Sequence, residues 1–442
     1  MKENQQTKQR DSFNSRFGFV LACIGSAVGM GNIWLFPYRV GQYGGAAFLI
    51  PYFLFIFIIG LSGVIGEMAF GRAMGTGPLG AFGKASRMRG GNWGEWIGII
   101  PVVGSLGIGI GYSVVVGWIL RFLAGSFTGS ALTGEAEAYF GALAVNFGSI
   151  GWHMAGLAIV FICMAYGIST GIEKINKVMI PAFFLLFLIM AVRIFMLEGA
   201  KEGILYMLKP NWEQVAKPET WVYALGQAFF SLSLAGSGTI VYGSYLKKTE
   251  DVVESAKNVA LFDTLASLLS VFVIIPAVFA FGLDPASGPP LMFITMPKVF
   301  QMMPMGSVFA VIFFLAVLFA AVTSLVNLFE TPVEALQEKF GFSRKKAVIC
   351  IAVIAVLVGI CIESGDSVSI WMDIVSIYII PLGALLASIM FFWVCGSAFA
   401  REQAQMGRKK QIGRWFEPMT KYVFVGLTML VYIMGIFYNG IG

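Results

Sequence analysis

Two runs of small residues interrupt otherwise apolar stretches: Gly25-Ser26-Ala27-Val28-Gly29-Met30-Gly31-Asn32 and Ser233-Leu234-Ala235-Gly236-Ser237-Gly238. Each glycine weakens a helix interior by about 1 kcal/mol, so both runs predict local unwinding. Unwound backbone offers carbonyl oxygens to a cation and amides to a carboxylate. Either run alone would serve equally as a close-packing face between helices. The pair favours unwinding, because matching interruptions in two halves of a chain are the mark of a carrier built from inverted repeats. Three further features offer related chemistry. Asp263 lies inside an apolar stretch, where a charge costs about 2.5 kcal/mol or more and is a functional candidate by default; pairing with a lysine at a helix edge is its other reading. Tyr112 presents a hydroxyl within a glycine-rich stretch, the alternative being an interfacial aromatic. Thr323-Ser324 presents two hydroxyls, although such a pair commonly bonds back to its own helix.

The elements that must position these groups are membrane helices. Of 442 residues, 58% are hydrophobic and 12% charged, a balance that leaves a water-soluble domain no polar surface. Apolar stretches long enough to cross a ~30 Å hydrocarbon layer recur near 17–41, 44–70, 97–124, 153–170, 178–197, 221–245, 258–282, 306–330, 346–362, 369–396 and 419–438. The pattern predicts an all-α polytopic protein of about 11 transmembrane helices, a 5+5 inverted repeat with helices 1 and 6 broken. A 1–16 cytoplasmic segment precedes a single transmembrane domain over 17–438. Repeat one spans about 17–197, repeat two about 221–396, and the extra helix 419–438.

The net charge of +6 is not a nucleic-acid face, because the cations concentrate in alternate joints and the opposite joints are poorer in them. Arg72, Lys84, Arg87 and Arg89, then Lys174 and Lys177, then Lys247 and Lys248, then Arg344, Lys345 and Lys346 mark one side, whereas 125–152 and 363–368 contain none. The positive-inside rule puts the N-terminus in the cytoplasm, and an odd span count puts the C-terminus outside. The segment through Arg16 is too polar and charged for a signal peptide. Cys23, Cys163, Cys350, Cys361 and Cys395 have no metal-ligand spacing and predict no disulfide. Glycine-rich lysine loops of nucleotide hydrolases are absent, and His153 is the sole histidine, placed at a span edge with no acidic cluster in view. The expectation is therefore a carrier and not an enzyme; a channel or receptor on the same scaffold is the other class.

Sequence detail then narrows the family. Arg16-Phe17-Gly18-Phe19, running through Gly29-Met30-Gly31-Asn32-Ile33-Trp34-Leu35-Phe36-Pro37-Tyr38 to Gly44-Gly45-Ala46-Ala47-Phe48, closely resembles the first helix and following loop of the neurotransmitter:sodium symporters. Gly226-Gln227-Ala228-Phe229-Phe230-Ser231-Leu232-Ser233 and Thr323-Ser324 resemble that family's sixth and eighth spans. The resemblance runs from Arg10 to about Trp393, and the absence of a twelfth span implies a bacterial member in the cytoplasmic (inner) membrane. It implies sodium-coupled import of hydrophobic L-amino acids, with the bilayer as solvent. The same fold moving another small substrate, or driven by protons, is the alternative.

The resemblance also assigns residues. It implies that backbone around Ala27, Gly29, Met30 and Gly31, with the Tyr112 hydroxyl, holds the substrate carboxylate. It implies two sodium ions, the first on the Ala27 carbonyl, Asn32, Ser231, Asp263 and that carboxylate. The second would take the carbonyls of Gly25, Val28 and Ala320 with the hydroxyls of Thr323 and Ser324. Ile108, Phe230, Gly236 and Leu328, with Ser26 and Ser233 nearby, are implied around the substrate side chain. Gly236 replaces a phenylalanine of relatives and so predicts extra volume. Arg10 and Glu338 resemble an inner gate pair beside Phe13, Ser244 and Tyr245. Asp373 resembles the outer acidic gate, with Leu35 in place of its usual arginine and Arg39 a candidate substitute. Each gate charge has the plainer reading of an interfacial residue. Chloride is not expected, because Asp263 supplies a fixed negative charge. Gly171 and Pro181 predict a weak point in the fifth span.

Overall fold

The computed structural model describes residues 12–286 and 291–441. Thirteen helices carry the architecture: α1 (Arg16–Ala27), α2 (Gly31–Gln42), α3 (Ala46–Met74), α4 (Gly94–Thr128), α5 (Ile150–Ala165) and α6 (Ile168–Phe195). Then come α7 (Pro218–Ser231) and α8 (Gly238–Ser244), α9 (Val252–Ala280) and α10 (Gly306–Phe340). Last are α11 (Arg344–Cys361), α12 (Gly365–Val394) and α13 (Phe416–Phe437). No strand occurs among the described residues.

Every expected apolar stretch falls on a helix or a broken helix pair, but not all meet the demands of a span. Among the described residues, seven helices are long and apolar enough to cross a bilayer, eight if the bent α1–α2 pair is one span. α5 is only 16 residues long, α11 begins with Arg344, Lys345 and Lys346, and α7 and α8 are separated by unwound residues 232–237. Length and apolarity therefore support eight of the eleven predicted crossings. Outward faces are apolar, including Phe57, Leu185, Leu188, Val353, Leu357 and Phe437, as a bilayer requires.

Local chemistry sets the helix ends. Ser15 caps α1 by accepting from the Gly18 N–H at 3.0 Å, Asp251 caps α9 through the Glu254 N–H at 3.0 Å, and Ser364 caps α12. α1 stops at Val28, whose extended φ −71, ψ 107 takes it out of the helix, and α2 departs at 51°. Between α7 and α8, Ser233 at φ +53 and Gly236 at φ +65 lie in the left-handed region, which a continuous helix cannot accommodate. Both interruptions expected from the small-residue runs are present. α1 packs against α6, α9 and α10, and α8 against α3 and α10, so the two breaks meet at the centre of the bundle.

Candidate functional site

A cavity of about 130 Å³ opens where the breaks face each other. Ser26, Ala27, Gly29, Met30 and Gly31 come from the first break, Ile108 and Tyr112 from α4, and Phe230, Ser231 and Ser233 from the second break. Ser324 and Leu328 come from α10. The wall is mainly apolar. Its polar end is ordered: the Met30 N–H donates to the Tyr112 hydroxyl oxygen at 2.9 Å, and the hydroxyl, with Ser324 as its side-chain partner, carries the one proton this end can donate. A Cβ on Gly29 would stand 2.9 Å from Ser324 Oγ and 3.1 Å from the Tyr112 oxygen, so glycine there keeps the backbone of the break open to a ligand.

Beside that end lies a buried carboxylate. Asp263 is fully buried; Oδ1 accepts from Asn32 Nδ2 at 2.7 Å and Oδ2 from Ser231 Oγ at 2.7 Å. Asn32 Nδ2 also reaches Ser267 Oγ at 2.8 Å, and Asn32 Oδ1 accepts from the Gly29 N–H at 2.9 Å. Asp263 has no ion pair among the described residues. A buried carboxylate served only by neutral donors is an incomplete charge, and the surrounding oxygens suit a hard monovalent cation. The residues present thus fit the first sodium ion.

Part of the second expected ion site is drawn together, with Gly25 facing Thr323 and Ser324 facing Ser26. A Cβ on Gly25 would stand 3.0 Å from Thr323 Cβ. Thr323 Oγ1 bonds back to the Phe319 and Ala320 carbonyls of its own helix at 3.0 Å each, whereas Ser324 Oγ crosses to the Ser26 carbonyl at 3.3 Å. Asn176 was not anticipated: its Oδ1 is buried, without a hydrogen bond, and lies 2.0 Å from the same Gly25 Cβ position. It adds an oxygen beside Thr323.

Gly236 departs from expectation. It does not border the cavity; a Cβ there would lie 2.5 Å from the Gly383 carbonyl oxygen and 2.9 Å from Ala387 Cβ on α12. Its N–H donates to Glu67 Oε1 at 2.8 Å. Gly236 serves close backbone approach and a positive φ, and its lack of a side chain adds no volume beside a substrate. Ala235, Ser237 and Gly238 border the cavity instead, with Met372 and Ser376 of α12.

The gates divide likewise. On the outer side Arg39 does not meet Asp373: its guanidinium stacks 4.3 Å over the Tyr223 ring and donates to Gln42 at 3.3 Å, while Asp373 is exposed. Arg39 is therefore no substitute for the missing arginine in this conformation. At the inner side Arg10 lies outside the described residues, and Glu338 is exposed. Phe13 packs edge-on against Phe19, Tyr242 and Tyr245 at 5.4, 5.6 and 6.3 Å. Ser244 Oγ bonds back to the Val241 carbonyl at 2.5 Å. The Tyr245 hydroxyl donates to Glu330 Oε1 at 2.9 Å, and Arg344 clasps Glu330 with two bonds of 2.9 and 2.8 Å, a bidentate pair that the sequence did not suggest.

His153 has one acidic neighbour, and no cluster of acidic groups gathers round it among the described residues. Its Nδ1 lies 3.4 Å from Glu363 Oε1, with both side chains fully buried, and Nε2 is 2.8 Å from Ser113 Oγ. This serine, histidine and carboxylate cannot work as a nucleophile set: Ser113 donates its proton to the Ile110 carbonyl at 2.6 Å, so the histidine faces an acceptor oxygen. Burial pushes the Glu363 carboxyl up from its usual range, in keeping with a structural role.

Comparison with known proteins decides the family. The sodium:neurotransmitter symporter family model matches residues 10–137 and 141–440. The chain belongs to that family. As a symporter of this kind it is a sodium-dependent transporter with a multi-pass membrane fold. It is 36% identical over 392 residues to the uncharacterized sodium-dependent transporter YhdH of Bacillus subtilis, covering 85% of this chain and 86% of the relative. It is 31% identical to an uncharacterized sodium-dependent transporter of Methanocaldococcus jannaschii, covering 96% of this chain and 90% of the relative. Its fold matches the crystal structure of MhsT in complex with L-phenylalanine with a TM-score of 0.85 at 32% identity, over 96% of this chain and 99% of the other.

Proposed function

We propose that this symporter imports hydrophobic and aromatic L-amino acids, leucine-like and tryptophan included, with two sodium ions and without chloride. The observation that carries the reading is the division of the central cavity. One end presents the Tyr112 hydroxyl and the backbone of the first break, suited to a carboxylate, and the remainder is a mainly apolar wall with Ile108, Phe230 and Leu328. MhsT, of the same fold, binds L-phenylalanine, which agrees with that chemistry. Sodium at Asn32, Ser231 and Asp263 would stand beside the carboxylate, so that each ligand improves the other's site. Alternating exposure follows if the ions favour the outward-facing state and their release favours the inward-facing one. The cation distribution favours an N-terminus in the cytoplasm, and eleven crossings would put the C-terminus outside.

Uptake of each of the twenty amino acids into proteoliposomes, in sodium against choline buffer, tests this. Leucine, phenylalanine and tryptophan should enter only with sodium. Entry confined to charged or hydroxylated amino acids would remove the substrate assignment.

Release to the cytoplasm is proposed to use α6. That helix starts in a π-helical turn over Ile168–Ile172, a form common at functional sites. Pro181 sits inside the helix, where it cannot donate to the carbonyl one turn back. Pro181→Ala should slow turnover by about 3-fold to 10-fold, since restoring one helical bond is worth about 1 kcal/mol, with sodium-dependent binding of leucine retained. Unchanged turnover in initial-rate uptake would leave Pro181 as a static kink.

A further inference from the structure

A second cavity, of about 350 Å³, lies away from the substrate site, between α3, α9 and the segment 408–416 that leads into α13. Leu61, Ile65 and Phe416 supply apolar wall, and Lys257 and Lys410 supply charge. Leu61 belongs to a π-helical turn, Gly60–Val64, a form common at functional positions. The segment is stapled from several sides. Arg408 donates to Asp251 Oδ1 and to the Lys410 carbonyl, each at 3.1 Å. The Ile412 N–H donates to Gln405 Oε1 at 2.7 Å, and Arg401 to the Ile412 carbonyl at 3.0 Å. The acidic groups nearby are already matched: Asp251 pairs with Arg408, and Glu250 and Glu254 lie 3.8 and 2.8 Å from Arg16. Lys257 and Lys410 have no ion pair among the described residues, so the cavity keeps two uncompensated positive charges. Trp415, 44% exposed, stands at its rim, as aromatic residues do at a membrane interface.

An apolar furrow continues from the cavity toward the bilayer centre. α3 runs toward the cation-rich side and α9 away from it, so Phe57 and Leu261 lie one turn deeper than Leu61 and Lys257 on the same helix faces. Both are exposed, as is Leu265 a turn further along α9. Uncompensated cations at the mouth of an exposed apolar furrow match a molecule with an anionic head and hydrocarbon tails, and basic pockets between membrane helices bind such headgroups. We propose that this cavity binds one anionic phospholipid, its phosphate between Lys257 and Lys410 and an acyl chain along Phe57, Leu261 and Leu265. A soluble anion gains nothing from the furrow, and a zwitterionic lipid brings its own cation beside the lysines. The site stands apart from the substrate cavity and does not depend on which amino acid is carried.

The test equilibrates the full chain with mixed micelles of equal phosphatidylglycerol and phosphatidylcholine of matched chains, repurifies it, and measures the retained lipid by mass spectrometry. Each lysine at the site favours the anionic lipid by about 5-fold, so the unmutated protein should retain phosphatidylglycerol in about 25-fold excess. Lys257→Gln and Lys410→Gln should each lower that excess about 5-fold, and together bring it to about one. Lys174→Gln with Lys345→Gln, at two lysines exposed elsewhere on the same side, should leave it unchanged. Leu61→Trp, which fills the cavity without altering charge, should reduce the excess as well. Monodisperse elution and helical circular dichroism check that each variant has folded. Equal retention of the two lipids by the unmutated protein overturns the inference, as does an excess that survives the paired lysine variant. An excess that survives Leu61→Trp would leave only diffuse surface charge and overturn the cavity. Displacement of bound phosphatidylglycerol by inorganic phosphate alone would assign the lysines to a soluble anion and overturn the lipid.

Discussion

Asp263→Asn is expected to raise the sodium concentration for half-maximal uptake by about tenfold or more, and to make the remaining transport respond to chloride. The carboxylate is buried, and its hydrogen-bond partners Asn32 and Ser231 are neutral. Interactions with a charged group contribute about 1.5–3 kcal/mol, and every 1.4 kcal/mol is tenfold in affinity. The substitution keeps the shape and a polar tip but deletes the charge opposite the ion. An external chloride ion could restore part of it, since Ser231, Ser267 and the Tyr52 hydroxyl cluster there, with Tyr52 reaching Ser267 at 3.4 Å. The unmutated protein should transport equally in gluconate and in chloride. Strict chloride dependence before mutation would refute the role assigned to this carboxylate.

Tyr112→Phe has the second-largest expected effect, a loss of about 10-fold to 100-fold in apparent affinity for leucine. Two changes coincide. The donor proton offered to the substrate carboxylate disappears, and the Met30 N–H that donates to the Tyr112 oxygen at 2.9 Å is left without its acceptor. A hydrogen bond to a charged partner contributes about 1.5–3 kcal/mol, and the buried unpaired amide adds to the loss. Sodium-dependent thermal stabilisation without amino acid should be nearly unchanged, which separates a carboxylate contact from damage to the ion sites. An unaltered leucine affinity would show that the carboxylate binds elsewhere.

Much of the site was legible because membrane helices make irregularity conspicuous. Small residues in the middle of two apolar stretches could only pack or unwind, and both stretches unwind. Asp263 stood out because carboxylates are rare at such depth. The same depth argument applies to Glu67, buried within α3 and accepting from the Gly236 N–H, a contact with a distant segment that sequence spacing does not show.

Other features depended on tertiary placement. Gly236 looked like a deleted ring, whereas its φ of +65 and the nearby Gly383 carbonyl make it a backbone contact. Arg39 looked free to meet Asp373 until Tyr223, far along the chain, was placed under its guanidinium. His153 and Glu363 are separated by many spans, so sequence spacing held no sign of their pairing. The contribution of α12 to the cavity through Met372 and Ser376 was equally invisible, because these residues belong to an ordinary apolar span.

Accumulation of labelled leucine in proteoliposomes under an inward sodium gradient, followed by collapse of that gradient with a sodium ionophore, tests coupled transport most directly. Internal leucine should rise above the external concentration in sodium gluconate and fall back to equilibrium on adding the ionophore. Leucine that only equilibrates, or that accumulates equally in choline, would contradict sodium-coupled import.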